Sequence, residues 1–161
     1  SHNPVAGPYY NFTVPEATGV VGIVAPDAPS LLGLISLIAP PLAAGCTVVA
    51  LGSERNPVPT SILGEVCATS DAPNGVINLL TGYRAELVEH FSSHRDIDAI
   101  HAANIEPEHA TTLRLGAAEN VKRVSVREVD DEGWFDVDAC ENPWWIESFV
   151  EMKTIWHPSS A

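Results

Sequence analysis

Basic residues are scarce in this chain: 8 Lys and Arg stand against 21 Asp and Glu, a formal net charge of -13 over 161 residues. Phosphate contacts need clustered Lys and Arg, so nucleic acid and anionic membrane are excluded as partners. Cysteine is sparse too. Cys46, Cys67 and Cys140 are odd in number and follow no CxxC or zinc-like spacing, which removes a disulfide framework and a thiolate metal site. Cys46 and Cys67 stand in apolar stretches and read as small buried hydrophobes. Long apolar runs are missing: residues 31–44 are too few to span a bilayer and are interrupted by Pro40 and Pro41. No signal peptide is recognisable, and a cytoplasmic protein is the expectation. Repeats, low-complexity tracts, a P-loop and a G-x-S-x-G elbow are also missing. The leading Ser1-His2-Asn3 is set aside as a cloning remnant.

What is present is a composition that folds, 45% hydrophobic, and a regular alternation. Residues 19–25, 46–51, 76–79, 97–101 and 121–127 are short β-branched or alternating runs, predicted as strands. Between them lie four helical segments. Ser30 is expected to cap the first, and Gly45 to stop it with a left-handed residue. Pro57 opens the second, with Ile62, Leu63, Val66 and Cys67 as its apolar face. Residues 83–91 form the third, with Leu87, Val88 and Phe91 inward. Pro107 opens the fourth, and Gly116 closes it. Five strands alternating with four helices predict an α/β fold: a five-stranded parallel sheet with helices on both faces.

After Arg127 the alternation stops. Nine Asp or Glu and no Lys or Arg fall between Glu128 and Glu151. A solvated surface segment is the preferred reading over a docking face for a basic partner or a Ca²⁺ loop, whose ordered spacing is missing. Trp134, Trp144, Trp145 and Trp156 read as one apolar cluster anchoring the tail, with a partner surface as the alternative. Residues 149–156 have strand character. Val150, Met152, Thr154 and Trp156 share one face, and Phe149, Glu151, Lys153 and Ile155 the other. An edge strand of the same domain and an oligomer contact are equally open. The chain divides into an N-terminal extension (1–18), the α/β unit (19–128), an acidic connector (129–148) and the C-terminal strand with its tail (149–161). His90, His94 and His101 cluster in sequence without ligand spacing and read as surface or structural histidines.

Several segments resemble the aldehyde dehydrogenase superfamily. Gly19-Val-Val-Gly-Ile-Val-Ala-Pro26 looks like its first Rossmann strand. Ile38-Ala-Pro-Pro-Leu-Ala-Ala-Gly-Cys-Thr-Val-Val49 is similar to its I-A-P-A-L-A-A-G-N-T-V-V. Pro73-Asn-Gly-Val-Ile-Asn78 with Gly82 resembles P-x-G-V-x-N-x-x-x-G, and His94-Arg-Asp-Ile-Asp98 resembles H-P-x-V-D. Asn120-Val-Lys-Arg-Val124 is similar to N-L-K-R-V. Phe149-Val-Glu-Met-Lys-Thr-Ile155 resembles the oligomerisation strand Y-x-E-V-K-T-V. The ordered set covers most of the chain. Its ending, Lys153-Thr-Ile-Trp-His-Pro158, looks most like the degenerate C-terminal domain of family-16 aldehyde dehydrogenases.

Carried over residue by residue, that resemblance implies a worn site. Where the family has P-W-N, whose asparagine steadies the oxyanion, this chain has Pro26-Asp27-Ala28, and Ala28 has no donor. Where K-P-x-E contacts the adenosine ribose, it has Leu51-Gly52-Ser53-Glu54, leaving Glu54 as the acceptor. The pyrophosphate turn F-T-G-S reads Ala102-Ala103-Asn104-Ile105. The general base position in L-E-L-G-G holds Arg127, and Glu128 would face the wrong way after a one-residue slip. Cys140 lacks the nucleophile's Gly-Gln context, and the acids around it raise a thiol pKa, so it is not taken as a nucleophile. Pro26, Glu54 and Gly82 remain as cofactor contacts, and Phe149, Val150, Met152, Thr154 and Trp156 as interface residues. No cofactor is expected to bind well, NAD being the one conceivable. Three functions follow: a non-catalytic scaffold paired with its own copy or with an active aldehyde dehydrogenase domain; an NAD(H) sensor; or a fragment of an active enzyme.

Overall fold

The computed structural model describes residues 3–158, so Ser1 and His2 of the leading tripeptide and the last three residues of the tail lie outside the described part. Five parallel strands form one sheet: β2 (Val20–Val24), β3 (Thr47–Leu51), β4 (Ile77–Leu80), β5 (Ala99–Ala103) and β6 (Arg123–Arg127), in the spatial order β4-β3-β2-β5-β6. The alternation of side chains divides the core in two. Val21, Ile23, Val48, Ala50 and Ala99 face α1 (Ser30–Ala43), with Leu63 of α2 (Val58–Thr69) packed against the same cluster. Val24, Leu51, Ile100 and Ala102 face α3 (Arg84–Ser93) and α4 (Pro107–Asn120), where Val88, Phe91 and Leu113 close the layer. Strands covered on both sides read as near-continuous apolar runs, which is why the sheet is legible in the sequence.

Helix details depart from expectation. Pro29, not Ser30, occupies the cap of α1; Ser30 is its first residue, and its hydroxyl accepts from Asn56 Nδ2 at 3.0 Å. Gly45 does take the left-handed conformation expected of it, at φ +90°. In α2 the expected apolar face is split: Leu63 and Cys67 are half-buried, whereas Ile62 and Val66 point to solvent. Gly116 does not end α4. It lies inside the helix, where a Cβ would fall 1.7 Å from Ser92 Oγ, so its role is the close approach of α3 and α4. Val121 closes α4 instead, at φ +59°.

Lys122, 8% exposed, follows directly. Its ammonium donates to the Phe91 and His94 carbonyls at 3.1 and 2.6 Å, satisfying orphan acceptors at the C-terminal end of α3. Burial pushes its pKa down, against the pull of Asp98. Lys122→Met is therefore expected to cost about 1–3 kcal/mol by urea unfolding, the penalty for stranding buried acceptors; an unchanged midpoint would mean that water replaces the amine at no cost.

The connector 129–148 is more ordered than a loop. It holds a 3₁₀ turn (Gly133–Phe135), α5 (Val137–Cys140) and α6 (Trp144–Glu147). The four tryptophans do not form one cluster: Trp134 and Trp145 are buried against α1 and the sheet, whereas Trp144 and Trp156 are exposed. Phe149 also departs from the interface reading. It precedes the last strand and is 1% exposed, inside the core. The strand itself, β7 (Val150–Pro158), pairs along its whole length with a strand absent from the sequence reading, β1 (Tyr9–Ala17). The two make an antiparallel ribbon apart from the main sheet. Thr13 and Thr154 share a hydroxyl hydrogen bond across it, and Lys153 pairs with Glu16.

Candidate functional site

Strand order reverses between β2 and β5, since β2 is followed by β3 on one side and flanked by β5 on the other. In open α/β sheets ligands enter the crevice beyond the carboxyl ends of the strands at that point. Here the crevice is bounded by the segment after β2 (Pro26-Asp27-Ala28), the segment after β3 (Gly52-Ser53-Glu54), the start of α3, and the turn after β5 (Asn104-Ile105-Glu106).

Arg84, the first residue of α3, fills it. Its side chain is 1% exposed. Nη1 donates to Asp27 Oδ2 at 2.9 Å, and Nη2 donates to Asp27 Oδ1 at 3.0 Å and to the Ala25 carbonyl at 2.8 Å. Nη1 also lies 3.9 Å from Glu106 Oε1, so the guanidinium spans the crevice from the β2 side to the β5 side. Asp27 is further held by the Ser53 hydroxyl at 2.9 Å and the Arg55 amide at 3.3 Å. Burial opposes its ionisation, but the hydrogen bonds from Arg84 and Ser53 and the charge of Arg84 outweigh it, holding the carboxyl below the usual range. Arg84 was not singled out by its sequence context.

The positions carried over from the resemblance are largely committed to the chain's own fold. Glu54 Oε2 accepts from the Arg84 amide at 2.9 Å, so the carboxylate serves the positive N-terminus of α3. Leu51 is fully buried in the core. Pro26 is buried under Gly33, and Gly82 is packed under Leu87, whose Cδ1 would meet a Cβ at 2.9 Å. Asn104 takes a left-handed φ of +49° and clamps the segment after β6: its Oδ1 accepts from Val129 N at 2.9 Å and its Nδ2 donates to Val129 O at 2.6 Å. Ile105 turns into the core. Ala28 is exposed and offers only a methyl group.

At the end of β6, Arg127 Nε donates to His101 Nε2 at 2.7 Å, and its guanidinium lies 4.0 Å over the Trp145 ring. His101 is fully buried on β5, with Nδ1 3.0 Å from the Leu37 carbonyl. Because Arg127 can only donate, Nε2 is the acceptor and the proton is on Nδ1, donated to Leu37. Burial and then the charge of Arg127 bring the His101 pKa down to about 3, against the Leu37 hydrogen bond. Cys140 is likewise a closed thiol. It donates to the Gly133 carbonyl at 2.9 Å, and burial with Asp136 and Glu141 raises its pKa. His90 and His94 are exposed, and among the described residues no group of three or more His, Cys, Asp or Glu could hold a metal ion. No helix among those residues is long and apolar enough to cross a membrane.

Sheet order, flanking helices and the crevice define a Rossmann-type α/β unit. A sequence model described as the aldehyde dehydrogenase family matches residues 2–127. The chain belongs to the aldehyde dehydrogenase family. It is 36% identical over 126 residues to betaine aldehyde dehydrogenase 1 of Oryza sativa subsp. japonica, covering 76% of this chain and 25% of that protein. It is 35% identical over 127 residues to aminoaldehyde dehydrogenase 2 of Zea mays, covering 77% of this chain and 25% of the relative. Among solved structures, the NAD⁺ complex of an aldehyde dehydrogenase from Bacillus cereus superposes with a TM-score of 0.75 at 26% identity, over 80% of this chain and 26% of that one. The chain thus spans about a quarter of the length of the curated relatives it matches.

Proposed function

We propose that this chain is a non-catalytic aldehyde-dehydrogenase-type domain, with a structural role in assembly. The observation that carries the reading is the closed crevice. Arg84 and Ser53 both donate to Asp27 where a dinucleotide would lie, and Glu54 is spent on the N-terminus of α3. The residues present do not fit the cofactor: Ile105 brings no hydroxyl to the phosphate turn and Leu51 no charge to the ribose. Of the family's reacting groups, the oxyanion donor is replaced by Ala28 and the base by Arg127, a cation that cannot accept a proton. The assembly partner is a second copy or an active aldehyde dehydrogenase domain. The β1–β7 ribbon supports that choice, with Tyr9, Tyr10, Met152 and Trp156 exposed along it.

Titration calorimetry with NAD⁺ and NADH tests the reading, alongside the solution mass of the same sample. No binding heat at millimolar cofactor is expected. Micromolar affinity would overturn it in favour of an NAD(H) sensor, and Glu54→Ala would then report whether that carboxylate takes part. A second reading, a segment of an active NAD(P)-dependent enzyme oxidising aldehydes, is favoured by the quarter-length match to the relatives. It requires that base and nucleophile come from sequence other than this chain.

A further inference from the structure

The end of β6 opens into a cavity of about 470 Å³ that does not belong to the cofactor crevice. It is lined by Val126 and Arg127 of β6 and by Val129, Ala139 and Trp145, with Glu128 and Asp130 also at its surface. The family-model match stops at residue 127, and the residues that complete the cavity beyond it come from the acidic segment.

Arg127 is fixed in this cavity by two contacts that leave its working end free. Nε is consumed by His101 at 2.7 Å, and the plane lies over Trp145 at 4.0 Å. His101 is itself fixed by Leu37 and flanked by the Trp145 and Phe149 rings, 5.5 and 5.0 Å away. Among the described residues, neither terminal nitrogen of Arg127 has a hydrogen-bond or ion-pair partner. A guanidinium immobilised through Nε, with both terminal nitrogens vacant, is a fork already set for a carboxylate, since little side-chain entropy remains to be lost on binding. The other lining residues narrow the ligand. Val126, Val129, Ala139 and the Trp145 ring favour an apolar tail. Glu128 and Asp130 oppose negative charge, a dianion more strongly than a monoanion, and Asp130 is held in place by the Gly133 amide at 2.6 Å.

We propose that this cavity is a binding site for small monocarboxylates with a short apolar tail, and that Arg127 is its anchor. The site is separate from the cofactor crevice and holds whether or not a dinucleotide binds there. The test is ¹H–¹⁵N NMR of the full chain titrated at constant ionic strength with butyrate, with acetate, succinate, phosphate and chloride as comparators. Saturable shifts of the Arg127 Nε–H and the Trp145 indole N–H are expected with butyrate, weaker binding with acetate, and weaker still with the dianions. Arg127→Lys, which keeps the charge and loses the fork, is expected to weaken butyrate about tenfold. Ala139→Leu puts a larger side chain into the cavity at a residue that takes no part in the Arg127–His101 hydrogen bond and is expected to abolish the response, so the outcome does not hang on a variant that disturbs His101. An absent or non-saturating response, equal response to chloride or phosphate, or undiminished binding by Ala139→Leu would each overturn the proposal.

Discussion

Arg84→Met is expected to lower the free energy of unfolding by about 3 kcal/mol, the largest loss of any single change outside the apolar core. The guanidinium is 1% exposed and supplies three hydrogen bonds, two of them to Asp27. Methionine of similar length fills the space but leaves the Asp27 carboxylate facing an apolar neighbour, with the Ser53 hydroxyl, the Arg55 amide and the exposed Arg55 guanidinium, whose Nε lies 3.4 Å from Oδ2, as its remaining partners. Broken buried pairs cost about 3–5 kcal/mol; the 18% exposure of the Asp27 side chain and its surviving partners put the expectation at the low end. Asp27→Asn in the Arg84→Met background should recover part of the loss, because the carboxylate that lost its buried partner is then neutral. Urea unfolding of the two single variants and the double variant measures this. Additive losses would sink the idea that the two groups act as one pair.

Acid should destabilise the fold well before its carboxylates titrate, and His101 is the reason. Unfolded, the imidazole binds a proton around its ordinary value of 6.5; folded, it stays neutral down to about 3. Between those values the unfolded state holds more protons, so stability is full above pH 6.5 and drains away as the pH falls. From pH 7 to pH 5 the single group removes about 2 kcal/mol. His101→Gln should be less stable at neutral pH, since it gives up ring packing against Trp145 and Phe149. Its stability should nonetheless fall by about 2 kcal/mol less across the same interval. Parallel pH profiles for the two proteins would remove His101 from the account. Below pH 4 Asp27 adds to the same trend, because its depressed pKa also makes protonation favour unfolding.

The parallel sheet could be read from the chain because each strand is covered on both faces and must be apolar throughout. The ribbon could be read only in part. Tyr9-Tyr-Asn-Phe-Thr-Val-Pro-Glu-Ala17 pairs in the open, with most of its residues half-buried or exposed, so no hydrophobic period marks it and Pro15 argues against it. The acidic segment hid its structure for the opposite reason. Its many charges describe the solvent side, while two buried tryptophans and Cys140 do the packing. Among the positions carried over from the family pattern, the substitutions at Ala28, Asn104, Ile105 and Arg127 were visible as departures from it. Arg84 was not, because a cation in the first turn of the helix read over 83–91 looks like an ordinary surface charge. One signal was available: a cation at the first position of a helix opposes the backbone dipole, which suggests that its charge is used elsewhere. Glu54, by contrast, kept the family's residue type while its carboxylate went to a different task.

The antiparallel ribbon has a mechanical consequence. Tyr9 lies opposite Pro158 and Ala17 opposite Val150, so β1 begins and β7 ends at the same tip of one stem, while the residues before β1 fold back so that Asn3 bonds to Asn11 and Thr13. A tension applied between Tyr9 and Pro158 would peel the ladder apart one cross-strand pair after another instead of loading all nine pairs together. The stem would yield at low force while the sheet behind it stayed whole, making it a compliant attachment for whatever polypeptide lies on either side.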